Sequence, residues 1–240
     1  RDVDSMFVIL PFEEEFYQKY NYKVNFVGHP LIDAIADRKQ VDESSFRKEY
    51  KLGDKPIIAL LPGSRKQEIT KMLSVMLSLV DEFKEYQFVI AGAPSQSFEF
   101  YKQFINNSNV QFINNKTYDL LSVSTAALVT SGTATLETAL FKIPQVVCYK
   151  GSSISYQIAK RIITLKYISL VNLIMDREVV TELIQNDFTK KNLKKELTKI
   201  LDEKHREKLF ENYYELEKIL GGKGASENTA RGIVANLKTT

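Results

Sequence analysis

Two glycine-containing turns hold the residue types best suited to chemistry. The first, Gly63-Ser64-Arg65, follows the unbroken apolar run Ile57–Leu61. A turn between a strand and a helix offers unpaired backbone N–H groups and the positive end of the helix dipole to an anion. An arginine in the first helical turn opposes that dipole, and its guanidinium can grip a phosphate with two hydrogen bonds. The turn is therefore predicted to bind phosphate, although a solvated arginine beside an ordinary capped helix fits the same residues.

The residues after this turn predict where its helix begins. Ser64 stands three residues before Gln67, which is the spacing of a capping box. Apolar residues then recur at helical period, as expected of a helix with one buried face. We therefore expect a strand, a glycine turn and a helix capped by Ser64.

The second turn, Ser131-Gly132-Thr133, directly follows the apolar run 126–130. This predicted helix start has a glycine, Gly132, and three side-chain hydroxyls, which belong to Ser131, Thr133 and Thr135. It is a second helix N-terminus that can bind an anion. Glu137 is expected about one turn inside that helix, where a carboxylate can accept hydrogen bonds from both hydroxyls of a ribose. A glutamate placed there only by the helix dipole is the alternative. The coincidence of both turns with one acid favours a nucleotide site.

Alternating strands and helices must position these turns. Strands are predicted at 57–61, 87–91, 110–113, 126–130 and 145–149, with helices between them at 66–84, 95–106, 117–123 and 133–141. This alternation is typical of an α/β protein with a parallel sheet and helices on both faces. Ligands of such sheets bind at the carboxyl ends of the strands, where both turns lie.

The flanking segments differ from this regular region. A strand, helix and strand within residues 6–27 are expected to be the tail of a domain, and residues 33–54 to be a polar connector. After residue 150 the pattern becomes helical, with helices near 190–201 and 203–220. A last helix is expected after Gly224, with Ser226 as its N-cap.

Composition limits the classes of protein to consider. The chain has 240 residues, 44% of them hydrophobic, and a net charge of +3 spread along its length. This balance does not favour a nucleic-acid partner. The single cysteine, Cys148, lies in an apolar run and is expected to be a core residue in a reducing compartment. No apolar run is long enough to cross a bilayer, and no signal peptide is visible.

Four segments together resemble the lipid-A-disaccharide synthase family. They are VGHPLID (27–33), LLPGSRKQEI (60–69), SGTATLETAL (131–140) and YISLVNLI (167–174). The resemblance implies the two-domain GT-B glycosyltransferase architecture, with a Rossmann-like sheet. Residues 1–40 would be the tail of the acceptor domain and a linker, residues 41–220 the UDP-sugar domain with C-terminal helices, and residues 221–240 a helix packing back on the acceptor domain.

The same resemblance implies a reaction and its partners. Diacylglucosamine would pass from UDP-2,3-diacylglucosamine to 2,3-diacylglucosamine 1-phosphate (lipid X) with inversion, releasing UDP. No cofactor, metal or nucleic acid is expected. The protein would be cytoplasmic and peripheral on the inner membrane, and a homo-oligomer is allowed. The general base would lie in an N-terminal part outside this chain, so the chain alone is expected to bind donor without turnover.

The site residues follow from combining the resemblance with the two turns. Gly63, Ser64 and Arg65, with Ser131, Gly132 and Thr133, are assigned to the pyrophosphate, and Glu137 to the ribose. Arg65 would stabilise the charge on the leaving UDP. Three weaker assignments complete the set: backbone near Ile113 to the uracil, His29 to the cleft and Asn172 to the sugar. A structural His29 and a turn-capping Asn172 are the alternatives, and Glu68 is interpreted as structural.

Two other functions remain open from the sequence. One is another GT-B enzyme that uses a UDP-sugar, such as a UDP-N-acetylglucosamine 2-epimerase or the transferase that makes lipid II. The other is a module without catalysis that binds a nucleotide sugar, a membrane or a partner. A helical stripe from Ile154 to Ile163, beside Lys160 and Arg161, fits either a core face or an anionic membrane surface.

Overall fold

The computed structural model describes residues 3–105, 109–151 and 166–237. Contacts divide the chain into two units, one of Arg1–Lys39 with Glu211–Thr240 and one of Gln40–Phe210. The predicted stripe at 154–163 lies outside the described residues.

The elements are numbered in chain order over the described residues. They are β1 (Phe7–Val8), α1 (Phe12–Gln18), β2 (Asn25–Phe26), α2 (Pro30–Ala36), α3 (Glu43–Glu49), β3 (Ile57–Leu61), α4 (Lys66–Leu77), β4 (Gln87–Gly92), α5 (Phe98–Lys102), β5 (Val110–Asn114), α6 (Thr117–Ser122), β6 (Ala126–Thr130), α7 (Thr133–Leu140), β7 (Gln145–Tyr149), α8 (Leu170–Met175), β8 (Glu182–Ile184), α9 (Lys190–Leu201), α10 (Glu203–Ile219) and α11 (Ala225–Leu237).

The second unit is built on a parallel sheet of six strands in the order β5-β4-β3-β6-β7-β8. Its central strand β3 is buried along its whole length, as its unbroken apolar run predicts. The α/β class and the parallel sheet expected from the sequence are thereby confirmed. The pairing of β3 with β6, residues 58–61 against 126–129, is what brings the two glycine turns side by side.

Several predicted boundaries were wrong. Residues 33–54 are not a plain connector, because they contain most of α2 and all of α3. The Asp42 side chain starts α3 by accepting a hydrogen bond of 2.8 Å from the Ser45 N–H. Helix α4 ends at Leu77 and is followed by a short 3-10 helix at Val80–Glu82, while α5 has only five residues. The edge strand β8 was missed because three residues are too few to show a period.

The first unit joins the two ends of the chain. Strands β1 and β2 pair in parallel, and the Leu220 carbonyl accepts a hydrogen bond of 3.0 Å from the His29 N–H. The Asp33 carboxylate accepts hydrogen bonds from the N–H groups of Gly224 (2.6 Å) and Ser226 (3.2 Å), which lower the pKa of Asp33. Ser226 is therefore not the N-cap of the last helix. That helix begins one residue earlier, at Ala225.

Among the described residues, no helix is both long enough and apolar enough to cross a bilayer.

Candidate functional site

A cavity of about 840 Å³ lies at the carboxyl ends of β3, β4, β5 and β6. Both glycine turns line it, so Arg65 and Ser131 face the same space, as the sequence predicted for a shared site. Adjacent strands of a sheet are only about 4.8 Å apart, which explains why the turns after β3 and β6 meet. The lining residues are Leu61, Gly63–Arg65, Glu68, Ala91, Ala93, Pro94, Asn115–Asp119, Thr130–Ala134 and Glu137.

Gly63 opens the first turn because no other residue fits there easily. Its φ is +102°, in the left-handed region that side chains disfavour. A Cβ at this position would lie 2.8 Å from Glu68 Oε2 and 3.0 Å from Glu68 Cβ. The glycine therefore lets the turn close tightly over the first turn of α4.

The start of α4 is capped by a carboxylate rather than by Ser64. Glu68 Oε2 accepts hydrogen bonds of 3.3 Å from the N–H groups of both Ser64 and Arg65. The predicted capping box of Ser64 and Gln67 is thus wrong by one residue, since Arg65 is the N-cap and Glu68 the third helical residue. The N–H groups expected to be unpaired at this turn are occupied, although at 3.3 Å these hydrogen bonds are long. Glu68 has the structural role expected of it.

Arg65 lines the cavity, and its guanidinium lies beside Glu68. Its side chain is 84% exposed, and its Nη1 atom is 3.2 Å from Glu68 Oε1. It stands at the N-cap, one position before the first helical turn in which the sequence placed it. An exposed ion pair of this kind contributes little to stability. The guanidinium can therefore leave Glu68 for a stronger anionic partner.

The second turn is held to its neighbours by its serine. The Ser131 N–H donates to the Cys148 carbonyl (3.0 Å), and the Ser131 hydroxyl donates to the Ile168 carbonyl (2.9 Å). The Thr135 hydroxyl donates back to the Gly132 carbonyl at 2.8 Å. Two of the three hydroxyls that were predicted to bind an anion, those of Ser131 and Thr135, thus donate hydrogen bonds to backbone carbonyls of the protein itself. The Thr133 side chain is exposed at the cavity.

Helix α7 begins without a capping side chain. Gly132 is its N-cap, and among the described residues no side chain caps this end. Gly132 has a φ of +155°, and a Cβ added there would meet nothing within 4 Å. The start of α7 therefore opens directly into the cavity, where its N–H groups and dipole favour an anion.

Glu137 lines the cavity and is partly buried. The Tyr118 hydroxyl, at the start of α6, donates a hydrogen bond of 2.9 Å to Glu137 Oε1. Burial raises the pKa of Glu137, and this hydrogen bond lowers it. Burial also raises the pKa of Tyr118, as does the nearby Glu137 carboxylate. Sequence reasoning missed Tyr118, although its place just after the end of β5 was a signal that it could face the site.

Two described cations line the cavity, Arg65 and Lys116, and each lies beside a carboxylate. Lys116 Nζ is 3.4 Å from Asp119 Oδ2, which parallels the pairing of Arg65 with Glu68. No group of three or more His, Cys, Asp or Glu within residues 3–105, 109–151 and 166–237 is arranged to hold a metal ion. Among the described residues that line the cavity, the start of α7 is consequently a positive feature without a carboxylate beside it.

Three predicted site residues do not line the cavity. Ile113 is 1% exposed and packs in the hydrophobic core, while Asn115–Asp119 form the wall beyond it. His29 belongs to the first unit and caps α2, its Nδ1 accepting a hydrogen bond of 3.2 Å from the Leu31 N–H. Burial lowers the pKa of this histidine, which favours the neutral acceptor form. His29 thus caps α2, which is the structural role that the sequence left as its alternative, and the Ile113 side chain lies in the core. Contact of His29 or of the backbone near Ile113 with a ligand stays a prediction.

Asn172 is the third of them, and its side chain is fully engaged. Its amide donates to the Val180 carbonyl (2.8 Å) and to Glu182 Oε1 (2.9 Å), and its Oδ1 accepts from the N–H groups of Val179 and Val180. Glu182 also accepts from the Ile168 N–H at 2.9 Å. This network fixes Ile168, whose carbonyl holds Ser131, so the Asn172 segment supports the second turn from outside the cavity.

The parallel sheet with its cavity at the strand ends defines a Rossmann-like α/β domain of the GT-B type. A solved structure of similar fold is the UDP-GlcNAc 2-epimerase from Neisseria meningitidis bound to UDP-GlcNAc. It has a TM-score of 0.64 and 15% sequence identity, over 96% of this chain and 61% of that one. At this identity the likeness concerns the fold.

Sequence comparison identifies the family. Residues 1–235 match the family model of lipid-A-disaccharide synthetase, and the chain belongs to this family. The lipid-A-disaccharide synthase of Syntrophus aciditrophicus is 39% identical over 236 residues, which are 95% of this chain and 61% of that protein. The enzyme of Coxiella burnetii strain Dugway is 34% identical over 241 residues, covering 98% and 63%. The chain thus spans less than two thirds of the length of these relatives.

Proposed function

We propose that this chain is the donor-binding part of a lipid-A-disaccharide synthase. It would bind UDP-2,3-diacylglucosamine, whose sugar is transferred to 2,3-diacylglucosamine 1-phosphate with release of UDP. Family membership supports this reaction. The observation that carries the donor-binding role is the meeting of the turns after β3 and β6 in one cavity.

The pyrophosphate would lie between the two helix starts. Gly132 and Thr133 lie at the start of α7, where no described side chain caps the N–H groups. Gly63, Ser64 and Arg65 lie at the start of α4. Ser131 would hold the second turn in place through its bond to Ile168. As the bond to the sugar breaks, negative charge grows on the UDP, and preorganised dipoles with a guanidinium stabilise that charge. Arg65 is therefore the residue to which we assign leaving-group stabilisation.

Binding at the first turn requires an exchange of partners. A phosphate must replace the Glu68 carboxylate at the N–H groups of Ser64 and Arg65 and at the guanidinium. The exchange is inexpensive because the existing bonds are long and largely exposed to solvent. Glu137, which lines the same cavity, would accept hydrogen bonds from the ribose hydroxyls.

A UDP-sugar epimerase is the second candidate function, and one structural comparison favours it. The meningococcal epimerase shares the fold and was solved with UDP-GlcNAc bound. Its 15% identity supports a shared fold, whereas the 34–39% identity to lipid-A-disaccharide synthases supports glycosyl transfer. A full-length relative that carries this chain's residues can be supplied with acylated and with non-acylated donors. The products formed would distinguish the transferase activity from the epimerase activity.

Titration with UDP tests the donor site. We expect saturable binding by calorimetry, undiminished by EDTA, and a gain of about 2.7 kcal/mol in unfolding free energy at one hundred times the dissociation constant. Arg65→Ala should weaken UDP binding at least about tenfold, because a charged hydrogen bond to phosphate contributes about 1.5 kcal/mol or more.

Lys71→Ala is the matched control, since Lys71 is an exposed cation on the same helix that does not line the cavity. It should bind UDP like the unchanged chain. Absence of saturable UDP binding would contradict the proposed site, and equal losses in Arg65→Ala and Lys71→Ala would contradict the role of Arg65.

We also propose that the acylated substrates are met at the cytoplasmic face of the inner membrane. Substrates that carry acyl chains partition into a bilayer, which supports a peripheral location for the enzyme. Flotation of the chain with anionic vesicles, with and without donor, measures this directly. Equal recovery with neutral and anionic vesicles would argue against an electrostatic membrane contact.

A further inference from the structure

Tyr118 and Glu137 form a side-chain pair between two helices that start at the same edge of the sheet. Tyr118 is the second residue of α6, and Glu137 is the fifth residue of α7. Their hydrogen bond of 2.9 Å spans 19 positions in sequence, and both residues line the cavity. Nothing in the pattern of either helix requires this pair, since each helix forms its own backbone hydrogen bonds.

The ring of Tyr118 also has a partner, the ring of Phe141. Its centroid lies 5.2 Å from that of Phe141, which is the C-cap of α7. Tyr118 thus contacts α7 near its middle through the hydroxyl and at its end through the ring. A ring held at two points can orient the carboxylate that it touches.

The hydrogen bond divides the two oxygens of Glu137 between different tasks. Oε1 accepts from Tyr118, and among the described residues no other donor reaches the carboxylate. Oε2 therefore remains for a ligand in the cavity that Glu137 lines. A half-buried glutamate without this bond could rotate among several χ angles and would have to be ordered by the ligand itself.

We infer that Tyr118 is a positioning residue that holds Glu137 for the ribose hydroxyls and thereby sets the preference of the site for a ribonucleotide. The inference rests on the proposed UDP site and extends it. Tyr118 acts through Glu137 and makes no contact of its own with the sugar hydroxyls. Removing its hydroxyl should therefore matter only when the ligand offers those hydroxyls.

A comparison of two ligands with two variants isolates this effect. UDP and 2′-deoxy-UDP share the base and the diphosphate and differ in one ribose hydroxyl. We expect Tyr118→Phe, which keeps the ring on Phe141, to weaken UDP binding roughly threefold to tenfold. Binding of 2′-deoxy-UDP should change by less than half as much on a logarithmic scale. Glu137→Gln should likewise reduce the preference for UDP.

The pH dependence gives a second readout. The charged groups that share the cavity with Glu137 are Arg65 and Glu68 on the α4 side and Lys116 and Asp119 on the α6 side. Their effects on the diphosphate largely cancel in the ratio of the two affinities. Burial raises the pKa of Glu137 and the Tyr118 hydroxyl lowers it. The preference for UDP should thus decline on acidification, and Tyr118→Phe should move that decline to higher pH.

Tyr86→Phe is the matched control, because Tyr86 lies in the same unit, packs against Phe83 and does not line the cavity. It should leave both affinities unchanged. If the unchanged chain binds UDP but Tyr118→Phe weakens both ligands equally, or shifts no pH midpoint, the inference is overturned while the donor site stands. If the unchanged chain binds neither ligand, the proposed function itself fails.

Discussion

The two glycine turns share a place in the fold but differ in how their helices begin. The N-terminus of helix α4 is capped by a carboxylate of the same helix, since Glu68 accepts hydrogen bonds from the N–H groups of Ser64 and Arg65. Helix α7 starts at Gly132, and in the described part of the chain no side chain caps it. The second turn is thus ready for an anion before one arrives, whereas the first must exchange Glu68 for it. The start of α7 is therefore a permanent part of the proposed anion site, whereas the start of α4 must rearrange when the anion binds.

The largest expected effect concerns the two glycines. Gly63→Ala should lower the unfolding free energy by about 2–3 kcal/mol, because strain at positive φ adds to the clash with Glu68. Gly132→Ala should cost about 1–2 kcal/mol, because its added Cβ meets open space and only the backbone is strained. Urea unfolding of both variants measures the difference. Equal costs would show that the two turns are not built differently.

The hydroxyls of the second turn should separate stability from binding. Ser131→Ala should lose about 1 kcal/mol of stability, the usual contribution of a hydrogen bond, because its partner is the Ile168 carbonyl. Its UDP affinity should stay within about twofold of the unchanged chain. Thr133→Ala should behave in the opposite way, with nearly unchanged stability and UDP affinity reduced roughly threefold.

Denaturant unfolding and calorimetry on the same preparations test this pair of variants. A Ser131→Ala variant that keeps its stability and loses UDP binding would place that hydroxyl on the ligand instead of on Ile168. The assignment of the permanent anion site would then have to change.

The smallest expected effect is at Glu68. Glu68→Gln removes a charge that competes with phosphate for the Ser64 and Arg65 N–H groups, so UDP affinity should rise about threefold. Stability should fall by about 0.5–1 kcal/mol, at the lower end for a lost cap because the bonds are long. Calorimetry and urea unfolding check the two directions. A fall in UDP affinity would mean that Glu68 helps to bind the ligand.

Local patterns predicted the strands and turns well. The apolar run Ile57–Leu61 was expected to be a strand buried on both faces, as it is, and the glycine after it marked the turn. The same reasoning located the helix after Gly132. These features depend on residues within a few positions of each other, which is the range over which sequence patterns carry information.

Contacts between distant residues could not be predicted in this way. The pairing of Tyr118 with Glu137 depends on the strand order, which places α6 and α7 at one edge of the cavity. Asn172 was assigned to the sugar because its segment, YISLVNLI, resembles the family motif, yet its amide donates to Val180 and Glu182 within the protein. The cap on α4 was misplaced because Gln67 and Glu68 both suit a capping box, and only the helix register distinguishes them.

A crystal structure of the chain with UDP would show directly whether the two helix starts form one diphosphate site. We expect the diphosphate between the starts of α4 and α7, with the Arg65 guanidinium on it and the Glu68 carboxylate turned away from the Ser64 and Arg65 N–H groups. A diphosphate bound outside this cavity, with Glu68 still holding both N–H groups, would contradict it.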